Sequence, residues 1–227
     1  MSDREFEGHA GSIAMRIPDL ARTDQIAAAC RGSGNPVALA WLAENLRLAP
    51  ATSVVDLGCG LGGPAAWLTE RYQCSVVGVD PAVQSARAAH SIFGLATVIA
   101  PADATPFAAE TFDAALLLGV VSVVADPSTV LTEASRVAPQ LGLLDYCATG
   151  GRAVSVGGST FPTVTELRNL VASSWRVVQV ADVAVPAPAT WQVANDEVHV
   201  EVEPDESAVI AAIEQGLIAP VMLVAIR

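Results

Sequence analysis

A glycine-rich turn between a strand and a helix is the part of this sequence best suited to chemistry. Residues 54–64 read VVDLGCGLGGP: a β-branched run, an aspartate, four glycines within six residues, and a proline that suits a first helical turn. A turn almost free of side chains lets its backbone approach a ligand closely, and the helix N-terminus behind it directs unpaired N–H groups at that ligand. The pattern therefore predicts a site for a nucleotide-type cofactor.

The glycines by themselves fit two classes of cofactor site. Asp56, Gly58, Gly60 and Gly62 follow the order Asp-x-Gly-x-Gly-x-Gly. The first two of these glycines and Gly63 also form the dinucleotide fingerprint Gly-x-Gly-x-x-Gly. Both classes stay open on this evidence, so residues at the ends of other strands have to decide between them.

Acidic residues stand where the next predicted strands end or begin. Ligands of open α/β sheets bind outside the carboxyl ends of the strands. The second strand ends at Asp80-Pro81, where a carboxylate can accept hydrogen bonds from both hydroxyls of a ribose. Asp103-Ala104 follows the third strand, and Phe112-Asp113 precedes the fourth. A nicotinamide enzyme needs neither of the last two pairs, so these residues argue against a dinucleotide cofactor and for the class of site that has the order Asp-x-Gly-x-Gly-x-Gly.

Taken in order, these motifs resemble those of class I S-adenosylmethionine-dependent methyltransferases. The resemblance runs from about residue 54 to 150 and, more loosely, through a final strand to residue 227. It implies S-adenosylmethionine as cofactor, S-adenosylhomocysteine as product, and in-line transfer of a methyl group to an oxygen, nitrogen or carbon acceptor. The stretch GLGGPA at 60–65 is similar to methyltransferases acting on quinone precursors, sterols and other small metabolites.

The resemblance also implies a role for each residue of the cofactor site. The glycine backbone approaches the methionine and ribose, Asp56 meets the ammonium through water, and Asp80 binds the ribose. The pair Asp103-Ala104 frames the adenine, and Leu118-Gly119 lines the floor near the sulfonium. The set predicted to bind the cofactor is Asp56, Gly58, Cys59, Gly60, Gly62, Asp80, Pro81, Asp103, Ala104, Leu118 and Gly119. An alternative for the acids is that they only cap turns.

Hydrophobic periodicity predicts the elements that position these residues. After residue 50, short apolar runs alternate with helical stretches, which is typical of βαβ units around a parallel sheet. Strands are predicted at 53–57, 75–79, 97–100, 114–118, 141–146, 176–183 and 221–226. Helices are predicted at 64–72, 82–93, 127–137, 164–173 and 208–215, with a glycine-rich loop at 150–158.

With the resemblance, the fold class is α/β. We expect a Rossmann-like, doubly wound, mostly parallel seven-stranded sheet with an antiparallel last strand, plus an N-terminal helical extension. Residues 1–50 are expected to form a helical cap or lid, and residues 51–227 the methyltransferase domain. Within that domain, residues 185–218 match nothing general in the family and are expected to form an insert on the substrate side.

A general base would assist transfer to a hydroxyl acceptor. The candidates are Asp145, Tyr146, His9 and His199. Asp145 and Tyr146 are predicted to end the fifth strand on the ligand side of the sheet, whereas the histidines lie in regions expected to fold over the pocket. Each also has a structural explanation, so the catalytic residue stays open. Methyl transfer from a sulfonium needs no metal, and no carboxylate cluster clearly builds a metal site.

The charge of the chain limits the classes of partner. The 227 residues include no lysine and carry a formal net charge of −12. A nucleic acid or an anionic membrane surface would need a basic face, which this composition does not supply. A neutral or cationic small molecule fits better, and a homodimer is left open.

The cysteines and the N-terminus bear on the compartment. The four cysteines form no C-x-x-C pair and are expected to be buried thiols in a reducing environment. The N-terminus lacks the apolar block of a signal peptide, and no apolar run reaches the length of a membrane span. We therefore expect a cytoplasmic protein.

Two other functions remain open at this point. A Rossmann-type NAD(P)-dependent oxidoreductase or epimerase would use the same glycines but would give no role to Asp103. Its common Tyr-x-x-x-Lys pair cannot occur in a chain without lysine. A non-catalytic cofactor-binding protein would keep the glycine turn without an acceptor pocket.

Overall fold

The computed structural model describes residues 14–30, 34–182 and 204–227. Two of the four candidate bases, His9 and His199, lie outside the described residues. The described helices are α1 (Arg22–Ala29), α2 (Pro36–Asn45), α3 (Gly63–Tyr72), α4 (Val83–Phe93), α5 (Pro127–Val137), α6 (Val164–Ala172) and α7 (Pro204–Glu214). The described strands are β1 (Ser53–Leu57), β2 (Ser75–Asp80), β3 (Ala96–Ile99), β4 (Ala114–Leu118), β5 (Gln140–Ala148), β6 (Val154–Val156), β7 (Ser159–Phe161), β8 (Arg176–Asp182) and β9 (Ile218–Ile226).

Within the described residues, a seven-stranded sheet has the order β3-β2-β1-β4-β5-β9-β8. Strands β1 to β5 pair in parallel, and β9 is antiparallel to both of its neighbours. This confirms the predicted Rossmann-like α/β fold with a reversed last strand. The chain moves outward from β1 to β3 on one side and from β4 to β5 on the other. The switch point between β1 and β4 is where such sheets bind ligands.

The central strands are buried on both faces, which explains their continuous apolar runs. Helices α2, α3 and α4 pack on one face of the sheet with side chains such as Val54 and Leu116. Helices α5 and α6 pack on the other face with side chains such as Val55 and Leu117. Neighbouring residues of one strand thus enter different cores, as the period of two requires.

The ends of the helices follow the local sequence. The side chain of Asn35 accepts a hydrogen bond from the N–H of Ala38 at 3.0 Å, and Pro36 opens α2. None of the helices in the described part of the chain has the length and apolar character needed to cross a bilayer.

The structure corrects the prediction of a loop at 150–158. Strands β6 and β7 form a hairpin there, with Ser155 paired with Thr160. Gly157 and Gly158 connect the strands, and both have positive φ, of 56° and 70°. A two-residue turn of this kind favours glycine, so two of the four glycines in the predicted loop form the turn of the hairpin.

Candidate cofactor site at the carboxyl edge of the sheet

The glycine turn leaves β1 and folds back onto the end of β2. The N–H groups of Gly58 and Cys59 donate to the carbonyl oxygen of Val79 at 2.7 and 3.0 Å. Gly58, Gly60 and Gly62 have φ angles of 83°, 52° and 82°, in the left-handed region where side chains are disfavoured. Gly62 is also the N-cap of α3, so the turn delivers the helix N-terminus to the carboxyl edge of the sheet.

Asp80 fastens this turn to the start of α4. Its Oδ2 accepts a hydrogen bond from the N–H of Gly60 at 2.8 Å, and its Oδ1 accepts one from Ala82 at 2.9 Å. Burial raises the pKa of Asp80, and the two N–H donors oppose that rise. Each oxygen keeps a lone pair beyond these bonds. The carboxylate can therefore hold the turn and still accept hydrogen bonds from a ligand.

The surroundings of the glycines show which of them faces free space. A Cβ added to Gly58 would lie 2.7 Å from Val120, and one added to Gly62 would lie 2.8 Å from Ala89. A Cβ on Gly63 would come within 2.6 Å of the backbone of α1. A Cβ on Gly60 would meet nothing within 4 Å. Of these four glycines, Gly60 is therefore the one whose backbone borders open space. A cofactor could lie against the backbone there without meeting other protein atoms.

Asp56 provides a second indication of a ligand. The residue is 1% exposed, and its Oδ1 has no hydrogen-bond partner among the described residues. Burial, followed by repulsion from Asp80, raises its pKa from 3.8 to about 7. A buried carboxyl oxygen without a partner is costly, and a cationic ammonium or a water bonded to it would satisfy it. As an acceptor, the Asp56 carboxyl thus suits the ammonium of an amino-acid group such as that of S-adenosylmethionine.

The N-terminal residues pack over the turn. Ile17 and the alanines of α1 form an apolar cluster with Leu61 of the turn and Ala88 of α4. The contact of Gly63 with the α1 backbone belongs to the same packing. The absence of a side chain at Gly63 is therefore required for α1 to lie this close.

The loop after β3 brings Asp103 and Ala104 to the same edge of the sheet. Asp80 pairs with Ile99 in register, and Asp103 follows Ile99 by four residues. Both residues of the pair are exposed, and Thr129 Oγ1 of α5 lies 3.5 Å from Asp103 Oδ2. Asp80 and Asp103 thus follow neighbouring strand ends. Their binding of ribose and adenine stays a prediction.

Asp113 lies at the opposite edge of the sheet. Its Oδ2 accepts hydrogen bonds from the N–H and the hydroxyl of Ser53, both at 2.7 Å. These bonds lower the pKa of its carboxyl. Asp113 joins the starts of β1 and β4, which is the turn-capping role that the sequence left open for it.

The loop after β4 forms one wall of the site. Leu118 is 9% exposed, Gly119 has a φ of 75°, and the N–H of Gly119 donates to Leu144 at 2.7 Å. Val120 packs against Gly58. The loop therefore lies between the glycine turn and β5, where the resemblance predicts the floor near the sulfonium.

Asp145 and Tyr146 lie inside β5, because that strand continues to Ala148. The predicted strand end at 146 is wrong by two residues. Asp145 is 1% exposed and accepts hydrogen bonds from the N–H of Ser122 at 3.1 Å and its hydroxyl at 2.7 Å. Burial raises the pKa of Asp145, and the bonds from Ser122 oppose that rise. The carboxylate therefore binds the loop after β4.

Tyr146 packs against a small apolar cluster that includes Phe161 and Ile218. Its ring meets that of Phe161 edge-on at 6.5 Å, and α7 packs on the same cluster through Ala212. Burial, then the charge of Asp145, raises the pKa of the Tyr146 hydroxyl. The phenol thus stays protonated at neutral pH.

The β6–β7 hairpin is joined to the loop after β4 by a hydrogen bond from Thr160 N–H to Ser122 O at 2.9 Å.

The contacts of Val120 and Ser122 were not predicted from the sequence. Ser122 and Asp145 are 23 residues apart, and only the pairing of β4 with β5 brings them together.

Among the described residues there is no group of three or more metal-ligating side chains. His90 lies on the exposed surface of α4.

Comparison with known proteins identifies a domain within the chain. Residues 55–144 match the family model described as a methyltransferase domain. That range contains the turn, Asp80, Asp103 and the loop after β4. No curated protein matches the chain.

Solved structures share the fold at low sequence identity. The (4+2)-cyclase SpnF is 16% identical with a TM-score of 0.71, over 83% of this chain and 80% of that one. Geranyl diphosphate C-methyltransferase from Streptomyces coelicolor A3(2), solved with Mg²⁺, geranyl diphosphate and S-adenosylhomocysteine, is 19% identical with a TM-score of 0.66, over 84% and 80%. The 1,6-didemethyltoxoflavin N1-methyltransferase from Burkholderia thailandensis, solved with 1,6-didemethyltoxoflavin and S-adenosylhomocysteine, is 17% identical with a TM-score of 0.59, over 85% and 77%.

Since a cyclase and methyltransferases share this fold, the fold alone does not decide the reaction. Residues 55–144 match a methyltransferase domain, and the motifs within that range are the ones that resemble class I S-adenosylmethionine-dependent methyltransferases.

Proposed function

We propose that this enzyme methylates an oxygen, nitrogen or carbon atom of a small, neutral or cationic metabolite by direct in-line displacement. One observation carries the proposal. The backbone of Gly60 borders open space, and the carboxylate of Asp80 holds it there by accepting a hydrogen bond from its N–H. The net charge of −12 favours an acceptor that is not anionic. A structural neighbour described as a 1,6-didemethyltoxoflavin N1-methyltransferase binds 1,6-didemethyltoxoflavin, which is an example of a small molecule bound by this fold.

The residues of the site have distinct proposed roles. Asp80 binds the ribose, the pair Asp103-Ala104 binds the adenine, and Asp56 faces the ammonium. Leu118-Gly119 lies under the reacting sulfur. S-adenosylmethionine supplies an already activated methyl group, so the protein has only to align the acceptor, exclude water and, for a hydroxyl acceptor, receive a proton.

On the acceptor side, we assign different roles to the two candidates of β5. Asp145 positions the loop after β4, since its oxygens accept from Ser122. Tyr146 contacts the acceptor as a neutral phenol, which can donate or accept a hydrogen bond. His9 and His199 remain candidates for the base if the acceptor is a hydroxyl.

Ligand-induced stabilisation tests the cofactor assignment. S-adenosylhomocysteine at 100 times its Kd is expected to raise the stability of the folded protein by about 2.7 kcal/mol, because it binds only the folded state. NAD at the same concentration is expected to leave the melting temperature unchanged. Methyl-labelled S-adenosylmethionine with a panel of small amines, phenols and carbon acids then identifies the acceptor. Stabilisation by NAD alone would contradict the proposal.

Asp56 is expected to make cofactor binding depend on pH. Its folded-state pKa of about 7 lies above the usual 3.8, so its favourable contribution to stability is present below pH 3.8 and is lost as the pH rises through 7. A cationic ammonium beside the carboxyl favours the ionised form, so binding releases a proton. The affinity for S-adenosylhomocysteine should therefore rise between pH 5.5 and 7, by up to about tenfold per pH unit.

Calorimetric titration at several pH values checks this expectation. Asp56→Asn should flatten the profile, because the amide does not titrate in this range. The same variant should be at least as stable as the wild type at pH 8 without ligand, since it removes a buried charge close to Asp80. A pH profile that is equally steep in the variant would assign the titration to Asp80 instead.

A further inference from the structure

The loop that carries Asp103-Ala104 is held by one face of α5. Thr129, Glu133 and Arg136 follow one another at intervals of four and three residues, so they share that face. Thr129 contacts Asp103, and the other two side chains contact residues 105–107. The helix face and the loop therefore run side by side, residue against residue.

Glu133 is the centre of these contacts. The residue is 7% exposed, and its Oε1 accepts hydrogen bonds from the N–H of Thr105 at 2.8 Å and from the Thr105 hydroxyl. Arg136 donates to both carboxylate oxygens, at 2.6 and 2.7 Å, and its Nη1 donates to the carbonyl oxygen of Phe107 at 2.8 Å. The hydrogen bonds from Arg136, with those from Thr105, hold the pKa of Glu133 below its usual value. The carboxylate is thus charged and fully engaged at neutral pH.

Asp103 and Ala104, in contrast, are exposed and have little packing of their own. A turn bond from Ala104 N–H to Pro101 O, at 3.2 Å, and the contact with Thr129 are their local restraints. The next residue, Thr105, is the first that is bound to a buried charge. The position of the Asp103 carboxylate therefore depends on where Glu133 holds Thr105.

We propose that Glu133 is a positioning residue for cofactor recognition, which it serves by fixing Asp103 where it meets the amino group of the adenine. The inference rests on the proposed function, in which Asp103-Ala104 binds the adenine; a carboxylate there accepts a hydrogen bond from the amino group of the base. Glu133 itself does not touch the cofactor. We expect Glu133 to affect which nucleobase the protein prefers in its cofactor. A loop that is free to move cannot hold the Asp103 carboxylate at hydrogen-bond distance from the adenine.

The test compares two ligands that differ only at the base. S-adenosylhomocysteine carries the amino group, whereas S-inosylhomocysteine carries an oxygen in its place. Wild-type protein is expected to bind the first at least tenfold more tightly, because a carboxylate bonds to the amino group and repels the oxygen. Glu133→Ala is expected to weaken binding of S-adenosylhomocysteine about tenfold and to leave binding of S-inosylhomocysteine within about twofold of wild type. Titration calorimetry measures the four dissociation constants, those of the wild type and of the Glu133→Ala variant for each of the two ligands.

A matched variant separates positioning from general loss of stability. Val130→Ala removes buried methyl groups from α5 but leaves the contacts of Glu133 intact, so it should lower the melting temperature and keep the ratio of the two affinities. In an Asp103→Asn background, Glu133→Ala should have no further effect on that ratio.

The outcomes distinguish this inference from the proposed function. If wild-type protein binds S-adenosylhomocysteine and prefers it, but Glu133→Ala keeps the preference, the inference is wrong and the cofactor assignment stands. A loss of preference in Val130→Ala as large as in Glu133→Ala would also overturn it. If the wild type binds neither ligand, the proposed function fails and the inference fails with it.

Discussion

Replacing Gly60 with alanine is expected to weaken the binding of S-adenosylmethionine strongly while leaving the protein folded. The new Cβ would meet no protein atom within 4 Å, and the N–H that bonds to Asp80 would remain. The methyl group would instead enter the space assigned to the cofactor. We expect the Kd for S-adenosylhomocysteine to rise about hundredfold, corresponding to roughly 3 kcal/mol of steric cost.

Gly94 offers a matched control for this substitution. It ends α4 with a φ of 69°, close to the 52° of Gly60, and its added Cβ would also meet nothing within 4 Å. Its position leads into the start of β3, at the edge of the sheet away from the turn. Both alanine variants should lose about 1 to 2 kcal/mol of stability from the left-handed backbone.

Titration calorimetry and thermal melts therefore give a clear comparison. Equal loss of stability with loss of binding only at position 60 would support the placement of the cofactor. Unchanged binding in the Gly60→Ala variant would mean that the cofactor does not lie against this part of the turn.

The elements marked by strong local signals were predicted well from the sequence. The bounds predicted for β1, β4 and α5 agree with the structure, at 53–57, 114–118 and 127–137. The glycine turn ends β1, and Asp126 followed by a proline starts α5, with the Asp126 side chain accepting from Ser128. These signals act within a few residues, so a single sequence is enough to read them.

The elements that depend on distant partners were predicted less well. Strand β5 runs two residues past the predicted end, because β9 pairs with it along its whole length up to Ala148. Helix α7 starts at Pro204, four residues before the predicted start at 208, and the acids at 205 and 206 belong to its first turn. No local pattern contains the identity of a strand neighbour or of a packing partner.

The candidate site shows the same division. The turn and Asp80 followed from motif and strand order, since both lie beside glycines or strand ends. The engagement of Asp145 by Ser122 did not follow, and neither did the binding of Thr105 by Glu133 across 28 residues. Both contacts join elements that only the sheet order brings together. Sequence motifs thus indicated the candidate cofactor-binding residues, while the network of hydrogen bonds that positions them required coordinates.

Asp80→Ala is the second substitution for which we expect a large effect. The change removes the acceptor of the Gly60 and Ala82 N–H groups together with the proposed acceptor of the ribose hydroxyls. A hydrogen bond to a charged group contributes about 1.5 to 3 kcal/mol, so loss of two from the ribose should weaken binding of S-adenosylhomocysteine by at least about hundredfold. Loss of the acceptor for Gly60 also frees the turn, which adds to the effect.

Asp113→Ala is the control that the chain offers. Asp113 likewise joins two segments through two hydrogen bonds, here to Ser53, but at the amino edge of the sheet. Its replacement should lower the melting temperature of the free protein and leave the shift produced by S-adenosylhomocysteine unchanged. Asp80→Ala should lose the shift itself, whatever happens to the free protein. If the two variants respond to the ligand alike, Asp80 serves only the turn, and the ribose must be bound by other residues.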